Sequence, residues 1–231
     1  MNIICDPAVI KELGSIYIGL GIIKNLEIKN QVENLNSIKD RILSKIKKSY
    51  TIENIKDTEI VKAYRNFYWR FMNIDPTKTR PSGEALARRV LKNQDIPIIN
   101  NIVFSINLVS IETQLSFSAF DLSKIKFPLT IRYAYKEEEF RGIGTRYKIL
   151  IGNELLLADS EKILCMYAYG DADYTKITSK TKDILLVNYG VPGISGESLE
   201  KGIQNGLSYL QKAGGGEIGE IFVSKCAPPE L

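Results

Sequence analysis

Apolar residues recur at helical spacing through most of the first half of the chain, and in alternation or continuous runs after Asp121. Asp6-Pro7 pairs a capping residue with a proline suited to the first helical position, which predicts a short helix ending near Leu13. The isoleucine-rich residues 16–28 read as a strand that Gly19 and Gly21 can interrupt. Leu35, Ile38, Ile42 and Ile46 give residues 35–48 one apolar face opposite a row of lysines. A helix from Asp57 carries Ile60, Tyr64, Phe67, Tyr68 and Phe71 as an aromatic stripe, read as core rather than a base-stacking platform. Ser82 can cap a further helix, with Glu84 in its first turn. Pro97 closes the next connection, and Asn100 or Asn101 can cap a helix over residues 102–115 that is apolar nearly all round. Asn107 falls between Val103 and Ile111, so its amide is expected inside, tying down a neighbouring loop.

The second half reads differently. Leu129, Ile131, Tyr133 and Tyr135 alternate with Thr130, Arg132 and Lys136, as in a half-buried strand. Gly152-Asn153 looks like a hairpin turn between residues 147–151 and 154–158. Residues 163–169 and 184–189 are apolar enough for strands buried on both faces. Ser195 or Ser198 caps a last helix bearing Leu199, Ile203, Leu207 and Leu210, which stops at the glycines 214–216. Residues 217–223 suggest a final strand, and Pro228-Pro229 a tail. Helices crowd the first half and strands the second, which predicts a mixed α+β fold with segregated layers. Residues 1–75 are expected to be strand and helix elements packed on a main domain at 76–231.

Composition narrows the chemistry. The 231 residues are 44% hydrophobic and 25% charged, with a formal charge of +4 that permits a nucleic-acid partner without demanding one. No run reaches the apolar length of a membrane span and no basic-then-apolar leader opens the chain, so a cytoplasmic protein is expected. Cys5, Cys165 and Cys226 are odd in number and far apart, which suggests neither a disulfide framework nor a zinc ribbon. The chain contains no histidine. That removes Ser-His-Asp and Cys-His catalysis and His-dependent zinc sites, leaving acid–base work to Asp, Glu, Lys, Tyr, the substrate or water.

Three places could carry function. Lys78, Arg80, Arg88, Arg89 and Lys92 gather around the helix after Pro81 and the loop feeding it, an arrangement suited to phosphate; a solvated charge run accounts for it equally. Gly142, Gly144 and their arginine neighbours form a turn where a ligand could approach backbone, although a plain structural turn has the same sequence. The loop from Gly170 gathers Asp171, Asp173, Thr175, Lys176 and Thr178 between apolar strands, where carboxylates can orient water, bind an amine or cap their own loop. Its spacing lacks the remaining ligands of a calcium loop, and no metal or cofactor is expected.

The run RPSGEALARRVLKNQDIPIINNIVFSINLVSIETQLSFSAFDLSKI resembles the start of the B3/B4 domain of the phenylalanyl-tRNA synthetase β subunit. Its combination of Arg-Arg-Val-Leu, Pro-x-Ile-Asn-Asn, Asn-x-Val-Ser and Asp-Leu carries the likeness, which continues through Gly142-Ile143-Gly144 and Gly170–Asp173 to Thr181. The resemblance implies a layered assembly of sheets and helices and a tRNA or aminoacyl-tRNA partner. It also implies an editing pocket in which Asp173 reads the amino acid and Asp171 orients water or the α-ammonium group. Backbone near Gly144 or Gly170 would then stabilise the oxyanion, with Gly142, Thr175, Thr178 and Asn101 against the substrate. Bacterial members place a histidine near that pocket; this chain departs from them there. Three functions stay open: a trans-editing deacylase of mischarged tRNA, a non-catalytic tRNA-binding module, and a small amino acid or peptide-binding protein. Aminoacylation itself is not expected, since no Gly-rich nucleotide loop is present.

Overall fold

The computed structural model describes residues 3–144 and 146–226, with Arg146 described through its backbone alone. Six α-helices are described: α1 (Pro7–Leu13), α2 (Asn36–Ser49), α3 (Glu59–Phe71), α4 (Ser82–Leu91), α5 (Asn101–Thr113) and α6 (Gly196–Gly214). The strands are β1 (Ile3–Cys5), β2 (Ile16–Lys24), β3 (Phe117–Asp121), β4 (Leu129–Tyr133), β5 (Glu139–Gly142), β6 (Arg146–Ile149), β7 (Leu155–Ala158), β8 (Ile163–Met166), β9 (Gly170–Asp171), β10 (Ile184–Tyr189) and β11 (Glu217–Cys226). The predicted α+β class holds, and Pro228-Pro229 lies outside the described residues.

Two large sheets organise these elements. One is antiparallel with order β11-β2-β10-β3; the other has order β1-β4-β7-β8-β9, with β1 parallel to β4 and the rest antiparallel. Strands from the first 75 residues sit in both. All six residues of β10 are buried, as its continuous apolar run predicts. Glycine does not break β2; it brings α6 down onto it. A Cβ on Gly21 would lie 2.7 Å from Ile203 and 2.8 Å from Leu207, so only glycine admits the helix this close. Leu199, Ile203, Leu207 and Leu210 form the buried stripe of α6, which Ser195 caps by accepting from the Ser198 N–H.

The aromatic stripe of α3 is core, as expected, and its polar tips join the sheets. The Tyr64 hydroxyl donates to the Tyr189 carbonyl at the end of β10, and the Tyr68 hydroxyl donates to the Ala168 carbonyl just past β8 (2.5 Å). The cap of α3 is Thr58 rather than Asp57. Three further expectations change. Gly152-Asn153 is not a hairpin turn: β6 pairs with β5 in a two-stranded ribbon, while β7 pairs with β4 and β8. Ser82 does not cap α4, which starts from Pro81 without a side-chain cap; the Ser82 hydroxyl bonds Ser116 instead. Cys5 and Cys226 are joined as a disulfide across 221 positions, linking the end of β1 to the end of β11.

Candidate functional site

The helix α5 sets the first wall of the site. Asn100 caps it by accepting from the Val103 N–H (2.9 Å). Ile102, Phe104, Leu108, Val109 and Ile111 are buried, but Val103, Ile106 and Asn107 share a half-buried face one turn long. That face borders a cleft of about 310 Å³, whose other walls come from Phe117–Ala119 on β3, Ile143, Asp171, Lys176 and Ile177. Asn107 therefore sits at a cleft rather than in the core, with one long contact to the Pro97 carbonyl (3.3 Å). The buried amide is Asn101. It accepts from the Lys29 N–H (2.8 Å) and donates to the carbonyls of Glu27 (2.9 Å) and Ala213 (3.0 Å). With no accessible surface and both ends of its amide engaged, Asn101 ties a loop to α6 and does not face a substrate.

The glycine turn and the acidic loop come together. The Ile143 N–H donates to the Asp171 carbonyl (3.0 Å), and Gly142 bridges to Ala172. Gly144 stands in the turn of the β5–β6 ribbon with φ of +79°. Extended backbone would put residues 171 and 173 on one side; Asp171 and Asp173 instead line different clefts, because the strand ends at Asp171 and a 3-10 turn runs from Asp173 to Thr175. Asp171 faces the cleft on α5. The Ser118 hydroxyl donates to its Oδ1 (2.5 Å), and burial, partly offset by that bond, lifts its carboxyl to about 6. Asp173 faces a second, more charged groove of about 770 Å³ with Arg141, Tyr147, Lys162 and Tyr174. The Lys176 ammonium, 2.9 Å away, holds the Asp173 carboxyl below the usual range. Thr175 is buried with its hydroxyl on the Ala172 carbonyl, and Thr178 bonds Thr181, which in turn reaches Asp121 (2.8 Å). Both threonines serve the loop. Gly170 pairs with Met166 at the start of it.

The sequence did not single out Ser118, the partner of Asp171; nothing in an alternating strand marks one serine as the neighbour of a distant carboxylate. Among the described residues no cluster of His, Cys, Asp and Glu is arranged to hold a metal ion.

The cations of α4 divide. Glu84 is fully buried and receives Arg88 Nε (2.7 Å) and Arg65 Nη1 (3.0 and 3.1 Å), with Arg80 Nε at 4.0 Å. Arg88 is thereby committed to the fold, and Arg89 donates to the Asp95 carbonyl (3.1 Å) from an exposed position. Lys78, Arg80 and Lys92 are exposed.

A family model of the B3/4 domain matches residues 63–214. The chain belongs to the B3/4 domain family. Its similarity to phenylalanine–tRNA ligase beta subunits is 33% identity over 143 residues for the protein of Fusobacterium nucleatum, covering 61% of this chain and 18% of that one. For Haemophilus ducreyi it is 23% over 197 residues, covering 84% and 24%. This B3/4 chain thus spans less than a quarter of the length of either relative. Among solved structures, an N-terminal fragment of the phenylalanyl-tRNA synthetase beta subunit from Pyrococcus horikoshii is similar at a TM-score of 0.48 and 16% identity, over 94% of this chain and 50% of that one. No described helix is long and apolar enough to cross a membrane.

Proposed function

We propose that this B3/4 chain binds aminoacyl-tRNA and hydrolyses the ester joining the amino acid to the terminal ribose, as an editing module acting in trans. The observation that carries the reading is Asp171: a desolvated carboxylate lifted to about 6, fixed by Ser118 and opening on a cleft with apolar walls. At neutral pH it is ionised and accepts either the substrate's α-ammonium group or a proton of the attacking water. Water adds to the ester carbonyl, the bond to the ribose oxygen breaks, and that oxygen leaves with a proton. A carboxylate near 6 is a competent base at neutral pH, and the vicinal ribose hydroxyl can share the proton transfer that a histidine would otherwise perform. Lys176 and the Asn107 amide line the same cleft as hydrogen-bond donors for the carbonyl oxygen.

Asp173, expected to read the amino acid, is better suited to hold Lys176 in place, since its carboxylate is already paired. The exposed Lys78, Arg80, Arg89 and Lys92 supply charge for tRNA phosphates. A chain without histidine also favours a second reading, in which the module binds aminoacyl-tRNA without hydrolysing it. Incubation with a panel of correctly charged and mischarged tRNAs separates the two: the first predicts release of amino acid from at least one pairing, the second binding without release.

A further inference from the structure

One wall of the Asp171 cleft is the open edge of β3. Where β3 pairs with β10, the Tyr189 N–H donates to the Ser116 carbonyl (3.1 Å) and the Leu122 N–H to the Asp183 carbonyl (2.9 Å). Hydrogen-bonded positions alternate along an antiparallel pair, so Ser118 and Phe120 also turn their N–H and C=O groups toward β10. Phe117 and Ala119 turn theirs the other way, and β3 is the last strand of its sheet, so these groups open outward. Both residues line the cleft, and Phe117 is 8% exposed. Among the described residues, nothing hydrogen-bonds the main chain of either one.

We propose that this edge, at Phe117 and Ala119, holds the main chain of an aminoacyl group with a free α-amine, like a one-residue strand added to the sheet. The proposal rests on the reading of Asp171 as the working carboxylate, and it adds what fixes the rest of the substrate. An outward residue of an edge strand offers an N–H and a C=O side by side, the pair that a neighbouring strand engages with its own C=O and N–H. An aminoacyl group carries that complement. Its carbonyl oxygen accepts from the N–H, and its α-ammonium donates to the C=O. A second ammonium proton goes to Asp171, which the 2.5 Å bond from Ser118 anchors to this same strand. The strand N–H then joins Lys176 and Asn107 as a fixed donor for the oxygen that becomes negative when water adds.

Size and charge select this occupant over a longer peptide. At about 310 Å³ the cleft lies at the small end of ligand pockets, which run from about 300 to 1,000 Å³, so it suits one residue. Its one cation, Lys176, is already paired with Asp173 at 2.9 Å, so the charge left to the cleft is the carboxylate of Asp171, which matches an ammonium. Val103, Ile106 and Ile177 remain as apolar wall for the side chain.

The test uses no ester, so it stands or falls separately from the hydrolysis. The probes are a panel of amino acid α-amides, which keep the ammonium and the carbonyl, and their N-acetyl counterparts, which lack the charge. Each is titrated to millimolar concentration into nitrogen-15-labelled protein, and backbone hydrogen exchange is followed by NMR. At least one amide is expected to bind and to slow exchange at Phe117 or Ala119 by about tenfold or more, with the Ser118 N–H unchanged. Its N-acetyl counterpart should bind about tenfold more weakly or worse, and Asp171→Asn should weaken the amide by a similar factor. Binding that slows exchange at neither residue, equal binding of the N-acetyl counterpart, or binding by no amide of the panel overturns the proposal. Protection of these N–H groups in a protein that releases nothing from any charged tRNA upholds it and overturns the hydrolytic reading; release without protection does the reverse.

Discussion

The 2.5 Å hydrogen bond from Ser118 to Asp171 joins the outer strand of one sheet, β3, to the outer strand of the other, β9. Cys5 and Cys226 join the same two sheets at their opposite outer strands, β1 and β11. The candidate site is therefore a seam between sheets, closed by a covalent bond at one edge and by a polar contact at the other. A seam is where a carboxylate can be desolvated without being sealed.

Desolvation of Asp171 has a cost that pH exposes. Its folded carboxyl ionises near 6, above the ordinary 3.8, so between those values the folded state holds more proton than the unfolded one. Wild-type stability therefore falls as pH rises from about 4 to 6 through this group and is flat in this term above. Asp171→Asn keeps an oxygen for Ser118 and carries no charge. It is expected to be more stable than wild type at pH 8 by about 1–3 kcal/mol, with the difference fading below pH 4. Urea denaturation at the two pH values checks this; a variant less stable at pH 8 than at pH 4, relative to wild type, contradicts it.

The two amides of α5 are expected to separate sharply. Asn101→Leu leaves one N–H and two carbonyls without their partner, the Ala213 carbonyl among them buried, and should lower stability on the order of 3 kcal/mol. Asn107→Leu loses one long, partly solvated contact and should cost under about 1 kcal/mol. Denaturation midpoints of the pair, compared directly, decide the matter.

The helical period identified α5 and its apolar character, but not which neighbour would cover each face. Asn107 looks interior because apolar residues surround it in sequence. The face it shares with Val103 and Ile106 meets the cleft, while Asn101 at the helix start is covered by the loop at Glu27 and the end of α6. The same limit applies to strands. The apolar runs of β8 and β10 were legible, as was the cap at Asp6, while the caps at Asn100 and Ser195 were each one of two candidates. The pairing of β6 with β5 was not, because register across a turn depends on partners far away in sequence. That Asp171 and Asp173 differ does not follow from alternation, which puts residues two apart on one side; the 3-10 turn that opens at Asp173 separates them, and which is desolvated depends on β3 and its Ser118, 53 positions earlier.

Basic residues of α4 should also behave as two classes. Arg88→Ala removes one of the two close partners of a fully buried carboxylate and should lower stability by about 2 kcal/mol. Arg89→Ala and Lys92→Ala should leave stability nearly unchanged, weaken binding of tRNA, and flatten its dependence on salt. Thermal melts and filter binding across a salt series measure both effects.

Removing the disulfide with Cys226→Ser should lower stability under oxidising conditions by about 3–5 kcal/mol, because the loop it closes spans almost the whole chain. Excess reductant should bring wild type down to the variant. Equal stability of the two proteins without reductant would show that the bond contributes nothing.

The central claim is that Asp171 does the work of the cleft, and one assay addresses it directly. Wild type, Asp171→Asn and Asp173→Asn are incubated at pH 7.5 with a panel of charged and mischarged tRNAs, and free amino acid is measured against time. The account predicts release from at least one pairing by wild type, a loss of about 100-fold or more in Asp171→Asn with tRNA affinity unchanged, and a smaller loss in Asp173→Asn. Release by Asp171→Asn at the wild-type rate, or no release from any pairing by wild type, would contradict it.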